Sequence, residues 1–474
     1  MVKRAVIVGA GPAGIGAAYT LAKNSKENLE IILIDQGKRV EDRQLVNPFD
    51  NSNGFGGVGA YSDGKHVFET ALGRRQIGTN LGEIAMGLDR EYLVKARTEI
   101  FQPFYERFAG TKMRSPSEDR LTRGKEIARL AGKNDMDYVL ALDYHIGTDR
   151  LPEFMKLIQD DLESRGVKIV SETRTIDFDK NKVYVNKTSS LETEPEEIPY
   201  DYLIVCPGRD GSHWLSKTLK KRKIKHGTRP IDIGVRVETD AEIMKHLTEI
   251  ERDVKFEFKH PNGDMIRTFC VCPYGQVTSE KKDPKVTEAT YCLVNGESRS
   301  ERISNNTNFA LLVRMPLRNE ASNGDYGRKI AELYEVAATT GRVVLQRYGD
   351  LKQGRSSKTE KILDWRIQPT LNSEKFMAGD IRVGMPARIM DDIRYGIERL
   401  SVPGLIEGLN QDSTLLYGPE IKFHGLNIHT DEYLQSVSIP HVYFAGDGTG
   451  ISRGIGGAMA SGIRAAEGIL RDLK

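Results

Sequence analysis

Residues 3–36, KRAVIVGAGPAGIGAAYTLAKNSKENLEIILIDQ, constrain the fold more than any other stretch of the chain. Residues 5–8 form a short apolar run that reads as a buried strand. Gly9, Gly11 and Gly14 complete G-x-G-x-x-G, and residues 15–22 continue in strong helix formers. A second apolar strand, residues 31–34, ends in Asp35. Strand, glycines, helix, strand and acid in that order make one βαβ unit, the start of a parallel sheet built to hold a dinucleotide. Gly9 makes the tight turn, Gly11 lets backbone approach a pyrophosphate, and Gly14 lets helix pack on strand, with Pro12 and Ala13 between them. The helix N-terminus presents free N–H groups and a positive dipole end to the phosphates. Asp35, with Gln36 next to it, is placed to accept hydrogen bonds from an adenosine ribose.

Composition narrows the class. The 474 residues are 39% hydrophobic, enough for a sizeable core, and no run approaches the roughly 18 uninterrupted apolar residues of a membrane span. The N-terminal apolar segment is too short and too glycine-bound for a signal peptide, so a cytoplasmic location is expected. A formal net charge of +2 does not by itself argue for a nucleic-acid partner. Cys206, Cys270, Cys272 and Cys292 are too few for a disulfide scaffold and read as reduced thiols; with no second C-x-x-C or His pair at ligand spacing, no metal site is expected.

Residues 441–473, HVYFAGDGTGISRGIGGAMASGIRAAEGILRDL, hold a short apolar strand, then Gly446 and Asp447, then a glycine- and alanine-rich helix opened by Gly454 and Ile455. This resembles the C-terminal FAD motif of the two-dinucleotide-fold flavoproteins. There the Asp contacts the ribityl and pyrophosphate portion, and the helix N-terminus stabilises charge that builds on the reduced ring. YDYLIVCPGRDGSHWL, in which a strand runs through Cys206 and Pro207 into a Gly208 turn, resembles the middle motif of the same proteins. The run GFGGVGAYSDGKH, residues 54–66, comes one residue short of the phosphate-loop pattern GxxxxGK[ST], because His66 stands where the hydroxyl should be. No hydrophobic strand precedes it, so the phosphate-loop reading is rejected. It reads instead as a second glycine loop past the flavin, with Gly56, Gly57 and Gly59 as contacts, Ser62, Asp63 and Lys65 behind them, and Arg43 just upstream. Lys65 reads equally well as a surface charge.

GFGGVGAYSDGKH, HIGTDRLPEFM, LIVCPGRDGSHWL, RTFCVCPYGQV, NTNFALLV and LLYGPEIKF occur in the order seen in a widely distributed group of FAD-dependent dehydrogenases, which the chain resembles over nearly its whole length. The resemblance implies FAD and electron transfer, with the substrate undefined. Many relatives carry a cysteine cluster just before the GFGG loop. This chain has EDRQLVNPFDNSN there, so no role for such a cluster carries over.

The expected fold is α/β: a Rossmann-like FAD-binding domain assembled from discontinuous segments, with an inserted β-rich α+β substrate domain. The FAD domain takes residues 1–66, 141–226 and 401–474. Residues 67–140 read as a mainly helical insert, and 227–400 as the substrate or cap domain. No second G-x-G-x-x-G follows a strand, so NAD(P)H is left open as an electron donor without a dedicated domain. His145, Cys272, His424 and Arg453 are the candidates for chemistry beside the flavin, each with a structural alternative: a hydrogen-bonded histidine, a buried thiol, a solvated arginine. The basic run KTLKKRKIKHGTR, residues 217–229, lacks interleaved aromatics and reads as a charged helix face rather than an RNA surface. The expectation is an FAD-dependent oxidoreductase moving a hydride between flavin and a small organic substrate. A flavin-dependent RNA-modifying enzyme and a non-catalytic flavin-holding partner are the rivals; the oligomeric state is not readable.

Overall fold

The computed structural model of the chain describes residues 2–474 apart from 26–27, 45–46, 63, 73–89, 112–116, 191–192, 283–289, 316–322, 340 and 424. The structure is α/β, its two large sheets being a parallel one of five strands and a largely antiparallel one of nine. Strands β1 (Lys3–Val8) and β2 (Leu29–Ile34) flank the first helix, Pro12–Asn24, as the βαβ reading requires. The next strands are β3 (Lys65–Leu72), β4 (Asp137–His145) and β5 (Lys168–Val170). They are followed by an antiparallel three-stranded unit of β6 (Thr173–Phe178), β7 (Lys182–Lys187) and β8 (Glu196–Pro199), and then by β9 (Tyr202–Val205).

The parallel sheet has the order β21-β9-β1-β2-β5, where β21 is Val442–Phe444. Val8 lies opposite both Ile34 and Val205, and Phe444 opposite Val205. That register puts the carboxyl ends of four strands from distant parts of the chain in one row. Every residue of β9 and β21 and the last four of β1 and β2 are buried, because helices cover both faces of a parallel sheet. The C-terminal helix, Gly454–Asp472, crosses the first helix at backbone contact. A Cβ on Gly462 would stand 1.9 Å from the Ala13 carbonyl oxygen, and one on Gly16 2.4 Å from that of Met459. Only glycine permits this approach.

The second sheet has nine strands. After β10 (His226–Thr228) come β11 (Ile231–Asp240), β12 (Lys255–Lys259), β13 (Met265–Cys272), β14 (Gln276–Lys281), β15 (Cys292–Glu297) and β16 (Asn306–Met315). Then follow β17 (Val343–Arg347), β18 (Phe376–Ala378), β19 (Leu415–Lys422) and β20 (Leu426–Ile428). The sheet order is β18-β17-β19-β11-β16-β13-β12-β4-β3, while β14 pairs with β15 and β10 with β20. One face is apolar: Ile231, Ile233, Val235 and Val237 share a core with Leu311, Val313 and the inward side of helix Ala387–Leu400. The other face carries Asp232, Arg236 and Glu238 and is buried too.

Between β3 and β4 the described residues are mainly helical: Arg90–Lys95, a π-helical stretch Ala96–Phe101, Gln102–Ala109 and Glu118–Lys133. Tyr92, Ala96, Ile100 and Phe104 are buried together, as their spacing predicts. Both flanking strands belong to the nine-stranded sheet, so residues 66 and 140 each fall inside a strand rather than between units. The basic run begins on helix Ser212–Lys221, whose Leu215 and Leu219 face the core. Lys221 and Arg222 sit 2.6 and 2.9 Å from Asp177, so part of its charge is taken internally.

Candidate functional site

Four glycine-rich turns meet at the carboxyl row of the parallel sheet. Gly56 N–H donates to the Ala10 carbonyl at 2.9 Å, joining the second glycine loop to the first. A Cβ on Gly59 would lie 3.1 Å from Pro12 Cγ and 3.7 Å from Ile455 Cγ1, so this loop sits between the starts of the first and last helices. Gly448 packs on the Gly208 carbonyl, and Gly446 faces Ala13 and Cys206. Asp35 locks the arrangement, its carboxylate accepting from the N–H groups of Ala10 (2.8 Å), Gly37 (2.9 Å) and Gly54 (2.7 Å). A carboxylate has about four lone-pair sites, so one remains for a further donor.

Arg43 organises the second loop from within. Its buried guanidinium donates to the carbonyls of Asp50 (2.9 and 2.6 Å), Phe55 (2.6 Å) and Gly57 (3.0 Å) and lies over the Tyr61 ring at 4.5 Å. Burial lowers its pKa. Asp447, at the start of the C-terminal turn, accepts from Ser452 Oγ (2.9 Å) and Gly454 N–H (3.1 Å); burial pushes its carboxyl up. Arg453 forms the N-cap of the C-terminal helix. Burial, and next the charge of Arg267, push its guanidinium down to about 9; Asp232, Arg209 and Asp447 also act on it.

Two of the charges that act on Arg453, Arg267 and Asp232, belong to the polar face of the nine-stranded sheet. Arg267 on β13 pairs with Asp232 on β11, and Arg314 Nε on β16 lies 3.2 Å from the same carboxylate. Lys422 on β19 is 2.9 Å from Glu420, which is 3.2 Å from Arg236. Alternating charges in IDIGVRVE, MIRTF and EIKF gave the signal for this cluster, but alternation reads as one solvated face. Here the second face is buried too, and opposite charges pair across four strands, with Arg267 Nε left without a hydrogen-bond partner among the described residues.

Two family models match the chain. One, described as FAD dependent oxidoreductase, matches residues 4–235; the other, described as FAD-dependent protein, C-terminal domain-like, matches residues 230–422. The chain belongs to the FAD-dependent oxidoreductases. An uncharacterised protein of Clostridium beijerinckii is 23% identical over 98% of this oxidoreductase and 80% of its own length. Among solved structures, THI4 of Thermovibrio ammonificans has a TM-score of 0.27 at 16% identity, over 48% of this chain and 64% of its own. The glycerol-3-phosphate dehydrogenase of Bacillus halodurans complexed with FAD has 0.39 at 11%, over 99% and 65%. The oxidoreductase thus spans just under two thirds of each of those two structures.

Whether the turns of this oxidoreductase fit FAD is readable from which glycines its own packing demands. Gly9, at φ +103°, and Gly14 are demanded: their Cβ atoms would stand 2.2 Å from the Cys206 carbonyl oxygen and 1.9 Å from that of Gly9. Gly11 is not. Its φ is −74°, and its Cβ would meet only Gly57 Cα, at 4.0 Å. A Cβ on Gly208 or Gly454 would meet nothing within 4 Å, and it is their φ of +67° and +74° that calls for glycine. The first helix has no side-chain N-cap hydrogen bond, neither it nor the last helix has an acidic residue in its first turn, and Ser62 Oγ is buried without a hydrogen-bond partner among the described residues. An open Gly11, an uncapped first helix and an orphan hydroxyl fit a dinucleotide with a pyrophosphate. FAD is the cofactor.

Other expected residues divide. Cys206 lies between strand and turn, its sulfur 3.1 Å from the Val8 carbonyl, and burial pushes its thiol up; Pro207 backs Gly211. Gln36 bonds Asn53 at 2.5 Å. Cys272 is buried, its sulfur 3.2 Å from Arg236 Nη2. His145, half-buried, ends β4 opposite Lys65. Asp63 and His424 lie outside the described residues. Lys65 is not a surface charge: it is buried, donates to the Val271 carbonyl and sits 3.6 Å from Asp253.

Proposed function

We propose that this oxidoreductase exchanges a hydride with a small organic substrate held between the glycine turns and the polar face of the nine-stranded sheet. Arg453 carries the reading: it is the N-cap residue of the C-terminal helix, whose first N–H is held by Asp447, and the charges of Arg267 and Asp232 on the sheet act on it. Bound FAD supplies the two-electron chemistry.

In this reading Gly11, Ala13 and the first helix hold the pyrophosphate, Asp35 takes a ribose hydroxyl at its remaining acceptor site, and Asp447 takes the ribityl region. Arg453, a cation at neutral pH, holds an anionic group of the substrate, or the charge that grows at the reacting end. His145, at the end of β4, is the proton carrier in this reading. Cys272 is the weaker choice, because a sulfur already facing a guanidinium is fixed in place and has less freedom to deliver a proton.

The experiment follows the visible flavin band of the purified protein anaerobically, with NADH or NADPH and with small organic acids and alcohols as reductants. Bleaching by any of them is expected. At equal FAD occupancy, Arg453→Ala should slow that bleaching by at least about ten-fold, roughly one charged hydrogen bond. An unchanged rate would remove Arg453 from the site, and a flavin that no reductant bleaches would refute the reading.

A further inference from the structure

A cavity of about 170 Å³ lies apart from the glycine turns, lined by Thr248, Arg252, Tyr274, Ser300 and Arg302, with Glu249 and Glu301 at its exposed rim. Arg302 places its guanidinium over the Tyr274 ring at 3.9 Å. Stacking occupies the flat face of the guanidinium and leaves its N–H edge pointing outward, the geometry in which arginine grips an oxyanion. Among the described residues Arg302 makes neither a hydrogen bond nor an ion pair. Arg252 Nε and the Tyr274 hydroxyl are buried and have no hydrogen-bond partner either.

Of the acids nearby, Asp253 and Glu249 are engaged elsewhere, and Glu301 at the rim makes no hydrogen bond or ion pair with these donors among the described residues. Asp253, next in the chain to Arg252, is taken by Lys255, by Lys65 and by the Val271 N–H at 2.9 Å. Glu249 faces Arg123 at 3.9 Å, and Arg299 at the cavity wall is held by Glu297 at 3.1 Å. Buried donors without acceptors are rare in native proteins and mark a missing partner. The hydroxyls of Thr248 and Ser300 already donate to the Lys245 carbonyl and to Asp149, but two guanidiniums and a phenol still outnumber the two oxygens of a carboxylate; a tetrahedral oxyanion answers them better.

We propose that this cavity binds a phosphate group. It is wired to the flavin loop: Ser300 N–H and Oγ donate to Asp149 at 2.9 and 2.6 Å, and the neighbouring Thr148 hydroxyl donates to the Ser62 carbonyl at 2.7 Å. The proposal does not depend on hydride transfer.

Calorimetric titration of the FAD-loaded protein with inorganic phosphate tests it. Saturable binding is expected, weakened at least about ten-fold in Arg302→Ala, the loss of roughly one charged hydrogen-bonding group. Arg302 is exposed, so this variant should fold; Tyr274→Phe, which keeps the stacking ring, should weaken binding as well. No saturable binding to the wild-type protein, or equal binding in both variants, would overturn the proposal. Competition by NADPH but not NADH would assign the phosphate to a nicotinamide nucleotide. Competition by neither would assign it to free phosphate or another phosphate ester.

Discussion

Gly11 and Gly14 stand three residues apart in one motif, yet the structure predicts opposite consequences for placing alanine at each. At Gly14 the new Cβ would lie 1.9 Å from the Gly9 carbonyl oxygen and 3.1 Å from its carbon, both backbone atoms, so helix and turn must separate. Overpacking of that kind costs about 1–3 kcal/mol, and more where backbone cannot yield. At Gly11 the φ of −74° suits alanine and the closest atom is 4.0 Å away. Restricting the unfolded chain contributes about 0.4–1 kcal/mol of stability. Gly11 is also the N-cap, where alanine is worse than glycine by roughly 0.5–1 kcal/mol, so the two effects nearly cancel. Apo Gly11→Ala should therefore unfold in urea within about 0.5 kcal/mol of wild type, while its methyl group stands where the pyrophosphate must approach and lowers FAD affinity at least about ten-fold. Urea midpoints of the apo proteins and FAD titrations followed by flavin fluorescence give both quantities. The reasoning fails if apo Gly11→Ala is destabilised as much as Gly14→Ala, or if it binds FAD like wild type.

Arg43→Lys should weaken FAD binding without moving the wavelength of the bound flavin, because a lysine cannot span the carbonyls of Asp50, Phe55 and Gly57; a shifted spectrum would mean that Arg43 touches the ring. Arg236→Leu leaves Glu420 buried with only Lys422 beside it and should cost about 3–5 kcal/mol in urea unfolding; a loss below about 1 kcal/mol would show that the pair is not needed. Burial holds the Asp392 carboxyl up to about 6, against the pull of Asn262 and His260. Its unfolded value is about 3.9, so the native state binds the proton more tightly and gains stability that is complete below about pH 4 and lost as pH rises to about 6. Wild type should therefore lose stability relative to Asp392→Asn across that window, and a difference that stays constant with pH would refute the assignment.

The parts of the fold legible in the sequence are those whose cause is local. Residues 5–8 and 31–34 form strands, Gly9 takes positive φ, and Asp35 ends β2, because strand, turn and cap preferences act within a few residues. Asp35 shows the limit: its place was readable, but not that three backbone N–H groups already occupy it, since Gly54 comes from another loop. Alternation in β11 likewise tells which residues share a face but not what covers that face, so the burial of Asp232 and Arg236 could not be read from it. The GxxxxGK match fails for the same reason. A phosphate loop needs a helix after its lysine, whereas Lys65 opens strand β3, and His66 stacks on Phe101 at 4.4 Å instead of standing in for a hydroxyl. Spacing alone proposed a nucleotide loop there. The residues on either side decide against it, and the partner of Lys65, Asp253, is brought to it by a strand pairing that no local pattern encodes.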